Sequence, residues 1–357
     1  MIKILMGGSP CTHWSIAQSK DRETKAEGVG WELFLNYVIA KEKFKPDFFL
    51  YENNWSASKE IKEQIQQELG YLLIRINSKL VSAQNRDRFY ICNWENEQPE
   101  DRGILLKDIL QTNIIAETIN TCGTKSYTIK AQYGKNGLAN FITNGGFAAS
   151  AVAEPVRIGT IESNVKNIGI DIIVSINAYE VKDGKITIKG KQYPIKLADG
   201  HYIIRKLTPI ECERLQTMPD GYTEFSAIPA TPGNLKKYKN KMAKGEAKYK
   251  LSTGQIVYPT SATQRYKGLG NGWTMEVIKH LMSKPLKDVP KDEKIILLSM
   301  YDGIGTAYQV LKELGFTNVE CHAYEIDEKA MAIAMYNHPD IIQHGDAFQV
   351  RNNAWKI

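Results

Sequence analysis

The stretch Met1-Ile2-Lys3-Ile4-Leu5-Met6-Gly7-Gly8-Ser9-Pro10-Cys11 decides how the rest of the chain is read. Residues 2–6 form an apolar run with the length of a short buried strand. Gly7 and Gly8 allow a sharp turn and the close approach of another backbone. Pro10 stiffens the exit. Cys11 therefore sits at the tip of a rigid turn after a strand, a place where an α/β enzyme can carry a nucleophile. A free cysteine is just as often a small buried apolar side chain. This stretch alone leaves both readings open.

Composition narrows the class. The chain has 357 residues, enough for two domains or one large domain with an insertion. Hydrophobic residues make up 43% and charged residues 24%, as in ordinary globular proteins. The net charge of +6 permits a polyanionic partner without demanding one. Five cysteines, odd in number and without a CxxC pair, point to reducing conditions and away from a disulfide frame or a cysteine zinc site. No apolar run is long enough to span a bilayer. Met1 leads straight into a strand pattern rather than a signal peptide. The expectation is a cytoplasmic protein with no membrane partner and no metal.

Residues 18–30 are rich in Lys, Arg, Glu and Gly, which predicts either a solvated loop or a lid beside Cys11. Trp31, Phe34, Leu35, Val38 and Ile39 recur at helical spacing, and Pro46 ends that pattern. Phe48-Phe49-Leu50-Tyr51 predicts a second buried strand ending at Glu52-Asn53-Asn54. Ligands of open α/β sheets bind beyond the carboxyl ends of the strands. Cys11 and Glu52 are thus expected together, Glu52 being either a solvated strand-end acid or a proton donor. Ser58, the stripe Ile61, Ile65 and Leu69, and Gly70 mark a helix. Strands are expected at 71–76 and 89–92. Between them, Gln84-Asn85-Arg86-Asp87-Arg88 turns two guanidiniums to one face, which suits an anion or carbonyl, or simply an exposed edge.

Gly-Gly-Ser-Pro-Cys11, Glu52-Asn53 and Gln84-x-Arg86-x-Arg88 together resemble the motif series of the DNA cytosine-5 methyltransferases in order and spacing. The form is nearest to the de novo branch and to phage and bacterial members. The resemblance implies that Cys11 is the nucleophile, Glu52 the acid, and Arg86 and Arg88 the supporting arginines. Asn54 stands where valine is usual, and Thr12 where glutamine is commonest. Both changes bear on how a base would be held.

From residue 96 to about 200, Ser, Thr, Asn and Gly rise and the strand–helix alternation fades. Asp183-Gly184 between two β patterns predicts a hairpin. Tyr127, Lys130, Tyr133, Lys135 and Asn136 mix aromatic, basic and amide groups, suited to phosphate and base edges or to an ordinary polar face. Thr208 with Glu211 forms a capping-box pattern, with Pro209 at the first helical position. Residues 235–250 are lysine-rich and read as a solvated connector with at most minor phosphate contact. The resemblance makes 96–262 a β-rich target-recognition region plus connector.

The last segment holds a strand pattern at 295–300, then Tyr301-Asp302-Gly303-Ile304-Gly305-Thr306, a helix, and a strand ending at Glu325. An acid about 20 residues beyond a glycine loop is how Rossmann-like folds hold a ribose diol. The resemblance assigns this part to S-adenosyl-L-methionine. Tyr301 to Thr306 would lie at the amino-acid end, Glu325 and Ile326 at the ribose, and Asp346 and Ala347 at the adenine. Asn271, Gly272 and Trp273 resemble the final family motif that lines the same site. Gly272 replaces the usual serine. Cofactor motifs normally come first in this family and here come last. The expected fold is therefore α/β, a Rossmann-like methyltransferase sheet, circularly permuted, with residues 284–294 as the joint. Its parts are 1–95, catalytic; 96–262, recognition; and 263–357, cofactor-binding.

The activity so implied is methyl transfer to C5 of a cytosine flipped out of double-stranded DNA, through a covalent Cys11–C6 adduct. A restriction endonuclease would be a compatible partner. An RNA cytosine-5 methyltransferase and a catalytically inactive DNA-binding relative are the rivals. A nicotinamide dehydrogenase would leave Cys11, Glu52 and Arg86 unexplained.

Overall fold

The computed structural model describes residues 1–15, 22–111, 117–119, 124–131, 133, 150–155, 178–188 and 190–357, with the side chains of Cys11 and of 117–119 outside that description. The first part alternates strand and helix: β1 (Ile2–Gly7), α1 (Gly28–Phe44), β2 (Phe48–Asn54), α2 (Lys59–Leu69), β3 (Leu73–Asn77), β4 (Gln84–Asn85) and β5 (Asp87–Cys92). Ser58 caps α2 by accepting from Ile61 N, and Gly70 ends it in the left-handed region. Ile61, Ile65 and Leu69 are its buried stripe.

The middle part is β-rich, as expected: β6 (Glu117–Ile119), β7 (Ser126–Tyr127), β8 (Ala151–Pro155), β9 (Ala178–Lys182), β10 (Lys185–Ile188), β11 (Lys191–Pro194) and β12 (Gly200–Lys206). All but β7 form a six-stranded sheet in the order β11-β10-β9-β12-β8-β6, while β7 pairs with β4. Asp183 and Gly184 both have positive φ, the geometry of the tight hairpin their pairing predicts. Helix α3 (Pro209–Leu215) follows with its capping box intact.

Residues 235–250 are not a solvated connector. They supply most of α4 (Pro232–Ala243) and all of β14 (Lys248–Lys250), which fold together with the flanking strands β13 (Phe225–Pro229) and β15 (Gln255–Pro259). These form a separate three-stranded sheet, β13-β15-β14. A small core of its own, Tyr238, Ala247 and Ile256, closes it. The lysines mask that core in the sequence because its apolar residues are few and widely spaced.

The chain then runs through α5 (Ala262–Asn271), α6 (Met275–Ser283), β16 (Ile295–Met300), α7 (Thr306–Glu313), β17 (Val319–Tyr324), α8 (Glu328–Asn337) and β18 (Ile342–Gln343). Both ends of the polypeptide build one seven-stranded sheet, β18-β17-β16-β1-β2-β5-β3 among the described residues. Strands β18, β17, β16, β1 and β2 are parallel, and β5 runs against both its neighbours. Residues alternate across β1: Leu5 packs with α1 and α2, and Ile4 and Met6 pack on the opposite face. The fold is thus mixed α/β around one large sheet. Among the described residues no helix is long and apolar enough to cross a membrane.

Candidate active site

One rung of the sheet aligns the site. Tyr324, Met300, Gly7, Tyr51 and Ile91 are successive partners across β17, β16, β1, β2 and β5. The next residues on the four parallel strands are Glu325, Tyr301, Gly8 and Glu52. Residues far apart in the chain therefore leave the sheet together at its carboxyl edge, where α/β proteins bind ligands.

At the β1–β2 corner, Gly8 packs so tightly on Glu52 that a Cβ would lie 2.6 Å from the Glu52 carbonyl oxygen and 2.9 Å from Oε2. Only glycine fits there. Asn53 Nδ2 donates to Ser9 O at 3.0 Å and to the Tyr51 hydroxyl at 3.0 Å, and Ser9 Oγ lies 2.7 Å from that hydroxyl. This buried network fixes the Gly-Ser-Pro turn. The Cys11 backbone opens a 3-10 turn, Cys11–His13, directly beyond it. Of the polar tract 18–30, residues 18–21 lie outside the described residues. The described part is pinned: Arg22 Nε donates to Trp14 O, Glu23 accepts from the Trp14 indole and from Gly30 N, and α1 starts at Gly28.

Glu52 is 9% exposed. Arg88 Nε meets its Oε1 at 2.9 Å, and Trp273 Nε1 donates to Oε2 at 3.0 Å. Each carboxylate oxygen thus has a directional donor. Arg86, 3% exposed, turns elsewhere. Its Nη2 donates to Gly272 O at 2.8 Å, with longer bonds to Gly270 O and Ile129 O. The guanidinium holds the backbone leading to Trp273. The two arginines expected to act alike therefore divide the work, one on the acid and one on the loop that carries the acid's second donor.

Gln84 is also buried, and its side chain bonds Leu215 O and Ile129 N, joining β4 to α3 and to the middle part. Tyr133 is core: its hydroxyl donates to Ser150 O and accepts from Leu207 N. Lys135 and Asn136 lie outside the described residues.

At the β16–β17 corner, Glu325 is held by backbone amides. Gly303 N donates to Oε2 at 2.9 Å, and Ile326 N and Asp327 N donate to Oε1 at 2.9 and 2.8 Å. A cavity of about 50 Å³ lies against Gln264, Asn271, Gly303, Glu325 and Asp327. Sequence reasoning placed Asn271, Gly303 and Glu325 there but missed Gln264 and Asp327. Their signal was available, since Gln264 lies one helical stretch before Asn271 and Asp327 two residues past Glu325. Gly305 has φ 86°, and a Cβ there would lie 3.1 Å from His338 and 3.3 Å from the Tyr222 hydroxyl. That hydroxyl donates to Ile304 O at 2.9 Å, so the loop is braced from behind. Burial pushes His338 down to about 3, which keeps this brace neutral.

Asp302 is buried. Ser299 Oγ donates to its Oδ1 at 2.6 Å, while Oδ2 has no partner among the described residues. Burial, with the Glu325 charge adding to it, pushes its carboxyl up to about 7 against the Ser299 bond. Tyr301 is anchored by its hydroxyl to Leu33 O, and Thr306 is buried at the start of α7. Asp346 caps a short 3-10 turn through Phe348 N, Ala347 is buried within that turn, and Ile326 is 74% exposed. The resemblance groups Trp273 with the cofactor residues, and in the structure its indole donates to Glu52.

Three comparisons bear on this geometry. A family model described as C-5 cytosine-specific DNA methylase matches residues 1–238. The chain is similar to an orphan methyltransferase, M.SPRI, of Bacillus phage SPR, with 30% identity over 122 residues. That match spans 30% of this chain and 27% of the relative's length. Among solved structures, it is similar to a mutant of Spodoptera frugiperda DNMT2 at 15% identity and a TM-score of 0.38, over 78% of each chain.

Proposed function

The chain belongs to the C-5 cytosine-specific DNA methylase family, and from that premise we propose that it methylates C5 of cytosine in double-stranded DNA using S-adenosyl-L-methionine. The observation that carries the reading is the doubly held Glu52, which leaves the sheet at the same rung as Glu325.

The site's chemistry fits the cofactor. S-adenosylmethionine is cationic and bears a ribose diol, and this corner offers the carboxylates Glu325 and Asp327 against the cavity, with the orphaned buried oxygen of Asp302 on the neighbouring loop. Residues 301–306, Glu325, Ile326, Asp346, Ala347, Asn271 and Gly272 would hold it. When bound, it supplies the electrophilic methyl group that ends on carbon 5.

The chain's own residues do the rest. The Cys11 thiolate adds to carbon 6 of a cytosine swung out of the duplex. Glu52, aligned by Arg88 and Trp273, holds a proton at ring nitrogen 3, so that carbon 5 gains nucleophilic character. Loss of the carbon 5 proton and departure of Cys11 restore the ring. Arg86 positions residues 270–272 and through them Trp273.

We read the sheet as circularly permuted. In support, β1 lies between β16 and β2, and Ile2 N donates to Lys294 O at 2.8 Å where the joint at 284–294 ends. The division 1–95, 96–262 and 263–357 is kept, with 225–260 as a folded module of its own.

The test is transfer of labelled methyl from S-adenosylmethionine to duplex DNA, run beside tRNA and with Cys11→Ser. Transfer to DNA that Cys11→Ser abolishes is expected. Transfer only to tRNA makes the enzyme an RNA methyltransferase. Cofactor binding without turnover on any DNA marks an inactive relative, and full activity of Cys11→Ser overturns the mechanism.

A further inference from the structure

One short segment carries a net charge as large as that of the whole chain. Residues 225–260 carry seven lysines and one acid, Glu246, a net +6 that equals the charge of the whole chain, so the remaining residues sum to zero. Lys236, Lys237, Lys239, Lys241, Lys244, Lys248 and Lys250 are all exposed. Among the described residues none of the seven forms an ion pair with a carboxylate. A lysine-rich stretch is normally a solvated face, but this one is rigidly displayed. Thr231 caps α4 by accepting from Asn234 N, and Pro232 occupies its first turn. Tyr238 buries one side of the helix against Ile256 and Ala247. Lys237, Lys241 and Lys244 follow at spacings of four and three, which aligns them on one face.

The module is also held in place. Thr260 N donates to Glu224 O at 2.8 Å, and Ser226 Oγ lies 2.8 Å from Thr260 Oγ1, so its two ends meet at a neck. Gln255 Nε2 donates to Met335 O on α8, and the Phe225 and Tyr336 rings pack 5.4 Å apart. The anchored strands are β13 and β15, while Lys248 and Lys250 lie on the free edge strand β14. An edge strand carrying lysines is guarded against pairing with another strand. That leaves the side chains of this rim available for a charged partner.

We propose that residues 225–260 are a DNA-backbone clamp, binding duplex phosphates outside the methylation site and without regard to sequence. The proposal rests on duplex DNA being the substrate. Exposed lysines without a carboxylate partner, held on a fixed scaffold, gain phosphate affinity through counterion release.

The experiment measures binding of a fluorescein-labelled duplex across a salt series, with methylation assayed in parallel. The variant replaces Lys237→Gln, Lys241→Gln, Lys244→Gln and Lys248→Gln, and its partner carries Arg at the same four positions. All four side chains are exposed, so both variants are expected to melt with the wild type. The Gln variant should bind at least tenfold more weakly in low salt. Its slope of log affinity against log salt should be shallower by about one per lysine that contacts phosphate. The Arg variant should bind like the wild type. Wild-type affinity and slope in the Gln variant overturn the clamp and leave the rim to an acidic protein. Equal loss in the Arg variant overturns it as well, since charge would not be the cause. A wild type that binds no duplex at all overturns the proposed function itself, and the clamp falls with it.

Discussion

Trp273 Nε1 donates to Glu52 Oε2 at 3.0 Å, joining residues 221 positions apart in the chain. Asn271, two residues before Trp273, lines the cavity beside Glu325. The hydrogen bond therefore links the proposed cofactor corner to the proposed acid. Hydrogen bonds to charged groups contribute roughly 1.5–3 kcal/mol. Trp273→Phe keeps an aromatic ring and removes the donor. Single-turnover methylation should slow about tenfold, near the lower end of that range, while the melting temperature holds. An unchanged rate would show that Arg88 alone orients Glu52.

The Arg88–Glu52 pair is nearly buried, with side-chain exposures of 10% and 11%. Arg88→Met strands a carboxylate in a site built for its partner. Breaking such a pair from one side costs about 3–5 kcal/mol. Urea unfolding should show a loss near the low end, because Trp273 still donates. Adding Glu52→Gln removes the stranded charge and should recover a large part of the loss. If the double variant is as unstable as Arg88→Met alone, packing rather than charge governs the site.

The strand and helix pattern that builds the large sheet was legible because its signals are local. Strands β1 and β2 are apolar runs broken by glycine, proline or an acid; Ser58, Thr208 and Glu211 mark helix starts by their own side chains, and Gly70 marks a helix end by its left-handed backbone. Glu52 and Glu325 could be placed because both close parallel strands. The two arginines were placed on one face, but their partners were not legible. Arg86 binds carbonyls 184 and 186 residues away, and sequence spacing carries no trace of such contacts. The stretch 235–250 reads as a connector, and the folded module 225–260 around it stays hidden, for a different reason. Seven lysines dominate its composition, and its buried core is three residues that follow no single period.

Glu325 is expected to set cofactor affinity independently of chemistry at Cys11. Its carboxylate is pre-oriented by Gly303, Ile326 and Asp327 amides, so little ordering is lost on binding. Glu325→Ala should weaken S-adenosylmethionine binding ten- to a hundredfold, about 1.4–2.8 kcal/mol, in calorimetry without DNA. Glu325→Gln should lose less, because the amide oxygen still accepts from the loop. Unchanged affinity in Glu325→Ala would remove this corner from the cofactor site.

Asp302 gives stability a pH dependence opposite to that of a typical paired carboxylate. Burial first, and the Glu325 charge after it, push its carboxyl up to about 7 in the folded chain, whereas an unfolded aspartate titrates near 4. Between those values the folded chain holds a proton that the unfolded chain releases. Stability from this group is therefore complete below about pH 4, falls as pH rises through the window, and levels off above about 7. The full displacement corresponds to roughly 4 kcal/mol. Asp302→Asn keeps an acceptor for Ser299 and removes the charge. It should leave stability near that of the wild type at pH 4 and exceed it by several kcal/mol at pH 8, read from urea unfolding at both values. A gain that is the same at the two pH values would mean that Asp302 does not titrate in this window, and that its orphaned oxygen is satisfied as a carboxylate in solution.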